Sequence, residues 1–428
     1  MESLSDDALS IICGWLSRKE LLVVRALSRA GRGAVQLAVR SHSKCRMCSL
    51  SELGRGPDKS GMSVEKAAAL GRVFGGGCRS LYIFLWNKRD ASEDAKMVLL
   101  EAVRTFHETI TPPGLKELHI GSGVVMPDDM LLEICGANPR MVTLSIDDPL
   151  PRSVPASVGL VCPLLTRVHL STGGLCEAEA YAMHFPRLET LRFGVRGEGA
   201  QSSRYIIQPA GLKLIEESAA RCVEATGCDF DDCVVTPALA ECVLRSSLPS
   251  RVTYLNLYCS QVTIQTVLAF AASFQNLTSL LLPPTFAVLP FDSDDREYGS
   301  PEFYEAIWRA RPTITEMDVS YADGADLEVV CRLFPLKNLT VTHHTFEFGS
   351  TTLVDIILAS PCRDTLIEVG IACTSATEVL RLITTLENVK DFHYNDMTQP
   401  DPDEPEPDSD EIFERIDHIL KSRGGICY

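Results

Sequence analysis

The sequence predicts an α/β solenoid of short strands and helices behind a short all-helical N-terminal module. Three observations predict it. The pattern apolar-x-x-apolar-x-apolar recurs eleven times between residues 78 and 394. The segments between many of its copies place apolar residues at helical spacing. Residues 4–29 hold two amphipathic helical stretches and no strand pattern.

In the first of those stretches Leu9, Ile12, Cys13 and Leu16 fall at i, i+3, i+4 and i+7, one face of a helix. Asp6 and Asp7 lie in its first turn, where negative charge complements the helix dipole. Ser17-Arg18-Lys19-Glu20 fits a capping box and announces a second helix with Leu21, Leu22, Val24 and Leu27. Two helices this short are marginal alone. These residues resemble the F-box, the helical module that docks a substrate receptor onto the Skp-family adaptor of a cullin-RING ubiquitin ligase. The matching positions are Leu4, Asp6-Asp7, Leu9, Ile12, Leu16, Glu20-Leu21-Leu22 and Leu27-Ser28-Arg29, with Ser5 where the motif usually carries proline and Gly31 where many members carry an aromatic. The resemblance implies adaptor binding through Leu4, Leu9, Ile12, Leu16, Leu21, Leu22 and Leu27, and through the adaptor a cullin. The module spans residues 1–40. The alternative is a helical hairpin packed on the rest of the chain.

Residues 41–77 read as a weakly patterned connector. Within it His42, Cys45 and Cys48 form H-x-x-C-x-x-C, half of a zinc site with no second half at finger-like spacing. No metal is expected there. Gly75-Gly76-Gly77 lacks the Gly-Lys-Ser/Thr ending of a phosphate loop and reads as a turn.

The repeats occupy 78–398. The motif reads CRSLYI at 78, LKELHI at 115, MVTLSI at 141, LTRVHL at 165 and LETLRF at 188. It resumes as VTYLNL at 252, LTSLLL at 277, ITEMDV at 314, LKNLTV at 336, LIEVGI at 366 and VKDFHY at 389. Clean steps run from 22 to 30 residues, and two steps of 37 imply insertions. The 64-residue gap from 188 to 252 holds one or two degenerate repeats, the best candidate near Arg221-Cys222-Val223. Helical spacing appears at Asp128–Cys135, Ile264–Phe274, Pro301–Arg309, Leu327–Phe334, Thr352–Ala359 and Ala376–Leu386. Prolines at 139, 186 and 335 close units before the next strand. Periods and motif together resemble leucine-rich repeats, whose units stack because none buries its apolar face alone. The Asn or Cys such repeats carry after the strand is replaced by residues such as Gly123, Pro149 and Gly173, so the solenoid is expected to be irregular. A doubly wound α/β domain is disfavoured, because its strands are near-continuous apolar runs.

Residues 399–411 form an acidic, proline-rich linker that cannot pack. Residues 412–428 return to helical spacing through Ile412, Ile416, Ile419 and Leu420, either as a cap on the open end of the array or as a free interaction tail.

Composition narrows the function. A net charge of −17 and a pI near 5.0 disfavour nucleic acid and anionic membrane surfaces as partners. The exception is a cluster of Arg18, Lys19, Arg25, Arg29, Arg32, Arg40, Lys44 and Arg46, either a solvated face or a surface complementary to an acidic adaptor. The N-terminus lacks a secretory pattern, and prolines interrupt the most apolar windows. The 16 cysteines then read as small reduced core residues, in cytoplasm or nucleus. Neither a nucleophile elbow, a His-Glu-x-x-His pair nor a Walker loop occurs. His343-His344 reads as a turn, and no cofactor is expected. A GTPase activator would want an exposed arginine on a turn; Arg196 is the one at such a position.

Binding is therefore expected on the inner wall, where strand alternation projects the third, fifth and seventh motif residues. These are Glu117, His119, Arg167, His169 and Arg192, then Tyr254, Asn256 and Tyr258, then Glu316, Asp318, Asp391 and His393. The whole reads as a non-catalytic substrate receptor of a ubiquitin ligase, its repeats holding a protein target. The alternative is a repeat scaffold without a ligase role.

Overall fold

The computed structural model describes residues 47–49, 64–65, 67–68, 71, 78–83, 93–109, 114–121, 123–151, 153–171, 176–194, 206–231, 233–288, 296–319, 323–341, 352–372, 376–395 and 409–427. The docking residues Leu4, Leu9, Ile12, Leu16, Leu21, Leu22 and Leu27 lie outside them, as do His42, Cys45, Gly75–Gly77, Arg196 and His343-His344. The chain divides into two compact units, each built on one parallel sheet.

The first unit runs β1 (Met47–Ser49), β2 (Ser80–Ile83), α1 (Glu93–Thr109), β3 (Glu117–Ile120), α2 (Asp128–Ala137), β4 (Thr143–Pro149), α3 (Val154–Val161), β5 (Arg167–Ser171) and α4 (Glu177–Ala180). Its strands lie in chain order, β1-β2-β3-β4-β5. All pairs are parallel, and the register places each motif's fourth residue beside its counterpart: Cys48, Leu81, Leu118, Leu144 and Val168. Leu81, Leu118 and Leu144 are at most 1% exposed. Helix α1 fills the first 37-residue step and buries Leu99, Ala102, Val103 and Phe106, again at i, i+3, i+4 and i+7.

Strand β1 corrects the connector reading of 41–77. Cys45-Arg46-Met47-Cys48-Ser49-Leu50 fits the repeat pattern with cysteines in the leucine places. Cys48 is a strand residue in register with Leu81. Cysteine behaves as a small hydrophobe, so a leucine-based search passes over it.

The second unit begins with β6 (Thr190–Arg192), α5 (Pro209–Arg221), β7 (Gly227–Asp229), α6 (Pro237–Arg245), β8 (Tyr254–Asn256), α7 (Ile264–Ser273) and β9 (Ser279–Leu281). A two-stranded antiparallel hairpin, β10 (Phe286–Ala287) with β11 (Arg296–Glu297), accounts for the second long step. Next come α8 (Pro301–Ala310), β12 (Glu316–Asp318), α9 (Gly324–Leu333), β13 (Asn338–Val341), α10 (Leu353–Ala359), β14 (Glu368–Ala372), α11 (Ala376–Thr385), β15 (Asp391–Asn395), α12 (Ser409–Ser422) and β16 (Ile426–Cys427). Nine strands form one sheet, β16-β15-β14-β13-β12-β9-β8-β7-β6. The core row is Leu191, Cys228, Leu255, Leu280, Met317, Leu339, Val369 and Phe392, each at most 1% exposed. Behind it Phe193, Phe230, Phe270 and Phe274 stack ring on ring, with centroids 4.3, 5.6 and 5.2 Å apart.

One repeat fills the gap between 188 and 252, and it sits later than Arg221–Val223. Arg221 ends helix α5, and the strand motif is Ala225-Thr226-Gly227-Cys228-Asp229-Phe230. Alanine and cysteine hold the leucine places, which hides the pattern. Gly227 is required by its neighbour, because a Cβ there would stand 2.7 Å from the Thr190 hydroxyl oxygen.

Five successive helices of this unit are capped as their sequences dictate. Thr236, Thr263, Ser300, Asp323 and Thr352 each accept a hydrogen bond from the backbone N–H three residues on. Several polar ties between neighbouring repeats stand at helix ends, and one stands after a strand, where the Gly123 N–H donates to Asp148 Oδ1 at 3.2 Å. In the first unit the Asn138 side chain accepts from Leu115 N at 3.0 Å and donates to Ile134 O at 2.8 Å. In the second, Arg311 donates to Phe274 O and Ala272 O, and Arg423 to Ile383 O and Leu386 O.

Helix α12 starts three residues before the expected 412. It buries Ile416 and Leu420 completely. Strand β16 then adds an edge to the sheet, pairing Ile426 with Asp391 and Cys427 with Phe392. Gly424 adopts φ 75°, and a Cβ on Gly425 would stand 1.8 Å from Lys390 O. This glycine pair lets the chain turn from helix into strand.

Several buried side-chain atoms among the described residues lack a hydrogen-bond partner, and one of them belongs to Asp326. Asp326 of α9 is 3% exposed, and its Oδ1 makes no hydrogen bond. Burial first, and the neighbouring Asp323 carboxylate second, push its pKa up to about 6. Folding therefore disfavours its charged form. The penalty is absent below the unfolded pKa near 4, grows as pH rises, and is complete above about 6. Asp326→Asn is expected to stabilise the protein by about 2 kcal/mol at pH 7.5. Urea titrations should show that advantage vanishing below pH 4.

Candidate protein-interaction face

The alternation that buries the leucines turns the third and fifth motif residues to the opposite side of each sheet. In the first unit the third-position row is Ser80, Glu117, Thr143 and Arg167, and the fifth is Tyr82, His119, Ser145 and His169. Glu117 accepts a hydrogen bond from the Ser80 hydroxyl at 2.7 Å and lies 3.9 Å from Arg167. His119 stacks on Tyr82 with ring centroids 4.4 Å apart and planes within 3°. Burial lowers the His119 pKa, against the opposing pull of Glu117, so the ring stacks neutral at pH 7. His169 Nδ1 stands 3.0 Å from Glu177 Oε1, at ion-pair distance without hydrogen-bond alignment. Glu177 is 5% exposed at the start of α4.

In the second unit the third-position row runs Thr190, Gly227, Tyr254, Ser279, Glu316, Asn338, Glu368, Asp391 and Ile426. The fifth runs Arg192, Asp229, Asn256, Leu281, Asp318, Thr340, Gly370 and His393. Asp229 lies 3.5 Å from Arg192 and accepts from Asn256 Nδ2 at 3.0 Å. His393 Nε2 is 3.0 Å from Glu368 Oε1. The Tyr254 hydroxyl is pushed up to about 12, by burial first and then by Asp229 and Glu316. It stays protonated, a donor at every physiological pH.

These rows bring together eleven of the twelve sequence-selected residues, in two groups. Tyr258 lies elsewhere. It follows β8 in a turn, its backbone N–H donates to Asn256 Oδ1 at 2.9 Å, and it lines a cavity of about 200 Å³ with Cys259, Gln261, Pro284 and Thr285. Tyr254 and Tyr258 are therefore not a pair on the sheet.

Sequence reasoning missed three members. Tyr82 is the fifth residue of CRSLYI and falls under the rule applied to the others. Asp229 was hidden with its degenerate repeat. Glu177 reaches His169 from α4, and no local pattern announces that contact.

Among the described residues no helix is long and apolar enough to cross a membrane. Of the eleven cysteines whose side chains the structure describes, ten are buried and Cys259 is exposed.

No protein-family model matches the sequence, and no curated protein matches it. Solved structures do. The chain is similar to the leucine-rich repeat-containing protein LegL7 from Legionella pneumophila, at 12% identity over 88% of this chain and 98% of that one, with a TM-score of 0.35. It is also similar to an internalin, inlF, from Listeria monocytogenes, at 10% identity over 81% and 88%, with a TM-score of 0.31. By its own period, strand motif and parallel register, the chain carries a fold of the leucine-rich-repeat type.

Proposed function

We propose that this chain is a non-catalytic binding scaffold whose sheet faces capture a protein partner. The registered ladder of polar and aromatic side chains carries this reading. Side chains with hydrogen-bonding, charged and aromatic character stand on successive parallel strands, over a core row that is at most 1% exposed in the second unit. Such a surface is preorganised and lies on rigid elements, so it orders little on binding. Photo-crosslinking from the sheet face tests this reading.

A second reading rests on residues 4–29. If their likeness to an F-box reflects function, the scaffold is the target-binding half of a ubiquitin-ligase receptor. It would hold a lysine near the charged conjugating enzyme and contribute proximity alone. The partners are then a Skp-family adaptor, a cullin reached through it, and a protein target, in cytoplasm or nucleus. The double substitution Leu21→Asp/Leu22→Asp is expected to abolish adaptor capture while leaving urea unfolding of the repeats unchanged. Undiminished capture by that variant would refute the ligase reading and leave the scaffold reading standing.

A further inference from the structure

We infer that the sheet face of the second unit binds a lysine- or arginine-rich extended segment of a partner protein, which specifies the binding reading proposed above and rests on it. The two outward rows carry five carboxylates, Asp229, Glu316, Asp318, Glu368 and Asp391, against one arginine, Arg192, and one histidine, His393. Arg192 is committed to Asp229 at 3.5 Å and His393 to Glu368 at 3.0 Å. From β12 to β15 the acidic positions span three strand spacings, roughly 14 Å. Cations spaced along an extended chain match such a row.

A separate observation points to a ligand in the same row. Ser279 lies between Tyr254 and Glu316. It is 5% exposed, and its hydroxyl has no hydrogen-bond partner. By strand alternation that hydroxyl points to the outward face, while the next residue, Leu280, is fully buried in the core. A buried hydroxyl without a partner is costly. An ammonium or guanidinium group entering between Tyr254 and Glu316 supplies the donor that Ser279 lacks and meets the Glu316 carboxylate at the same point. Tyr254 adds an aromatic wall suited to a cation.

The test is fluorescence anisotropy with the full chain and a labelled twelve-residue peptide of alternating lysine and serine. Peptides with glutamate or glutamine in place of lysine are run beside it. The triple variant Glu316→Gln/Asp318→Asn/Glu368→Gln is expected to weaken lysine-peptide binding at least about tenfold. Affinity of the unsubstituted chain should fall steeply with salt. A control triple, Glu216→Gln/Glu328→Gln/Glu414→Gln, neutralises exposed carboxylates on helices and should change affinity less than about twofold. Ser279→Ala should cost about threefold.

Equal losses in the two triples would reduce the effect to net charge and overturn the proposal. A tenfold gain on Arg40→Ser/Lys44→Ser/Arg46→Ser would show the chain's own cations occupying the face, which also overturns an external partner. Preference for the glutamate or glutamine peptide would overturn the basic partner yet leave the scaffold reading intact. Failure of all peptides, with no crosslinks from the face, would remove both.

Discussion

Leu280→Lys is expected to unfold the nine-stranded unit, whereas Leu281→Lys, one residue along, leaves it folded. Leu280 is fully buried between Leu255 and Met317. An ammonium there has neither water nor a counter-ion. A buried unpaired charge costs more than about 4 kcal/mol, a large part of a domain's stability. Leu281 lies in the outward row between Asn256 and Asp318, and a lysine there meets a carboxylate. Its expected effect is within about 0.5 kcal/mol. Circular dichroism across a urea titration separates the two. The reverse order, with Leu281→Lys the damaging change, would mean that the alternation is wrong by one residue, exchanging core and face along this strand. Equal destabilisation would mean that both faces of the strand are buried.

The second large effect is Phe270→Ala, with an expected loss of about 3–5 kcal/mol. Phe270 is fully buried, and its ring contacts those of Phe230 and Phe274 at 5.6 and 5.2 Å. Phe230 in turn stacks on Phe193 at 4.3 Å. The four rings come from three successive repeats, so a cavity at Phe270 weakens nearest-neighbour coupling as well as one repeat. Phe270→Leu keeps most of the volume and should lose about 1–1.5 kcal/mol. A lowered urea midpoint accompanied by a reduced slope would mark loss of cooperativity between repeats.

The repeats were legible wherever leucine, isoleucine or valine held the core places, because period-two alternation leaves a direct trace in sequence. LKELHI at 115 and LTSLLL at 277 fall on β3 and β9 in the expected phase, and the helix over 264–273 was readable from its apolar spacing. Legibility ended where small residues took over the core. Cys228 on β7 holds a core-row position, Cys48 on β1 and Cys427 on β16 stand in register with Leu81 and Phe392, and none belongs to a leucine pattern. The candidate face was legible to the extent that it depends on strand phase, which placed Glu117, Arg192, Tyr254 and Glu316 correctly among the outward rows. Tyr258 was misplaced because three-residue β8 ends at Asn256, so alternation no longer holds two residues later. The Glu177–His169 approach joins a helix start to a strand and leaves no periodic signal. The division into a five-stranded and a nine-stranded sheet is equally silent, since the motif at 188 keeps the same spacing as its predecessors.

The binding claim meets its most direct test in site-specific photo-crosslinking of the full chain in cell extract. A benzophenone side chain replaces Asn256 or Thr340 on the outward rows, or Glu328 on the exposed side of α9. The account predicts discrete crosslinked partner bands from Asn256 and Thr340, absent from Glu328, and lost when Glu316→Lys is added to a chain that still unfolds normally in urea. Equal or stronger crosslinking from Glu328, unaffected by Glu316→Lys, would contradict it.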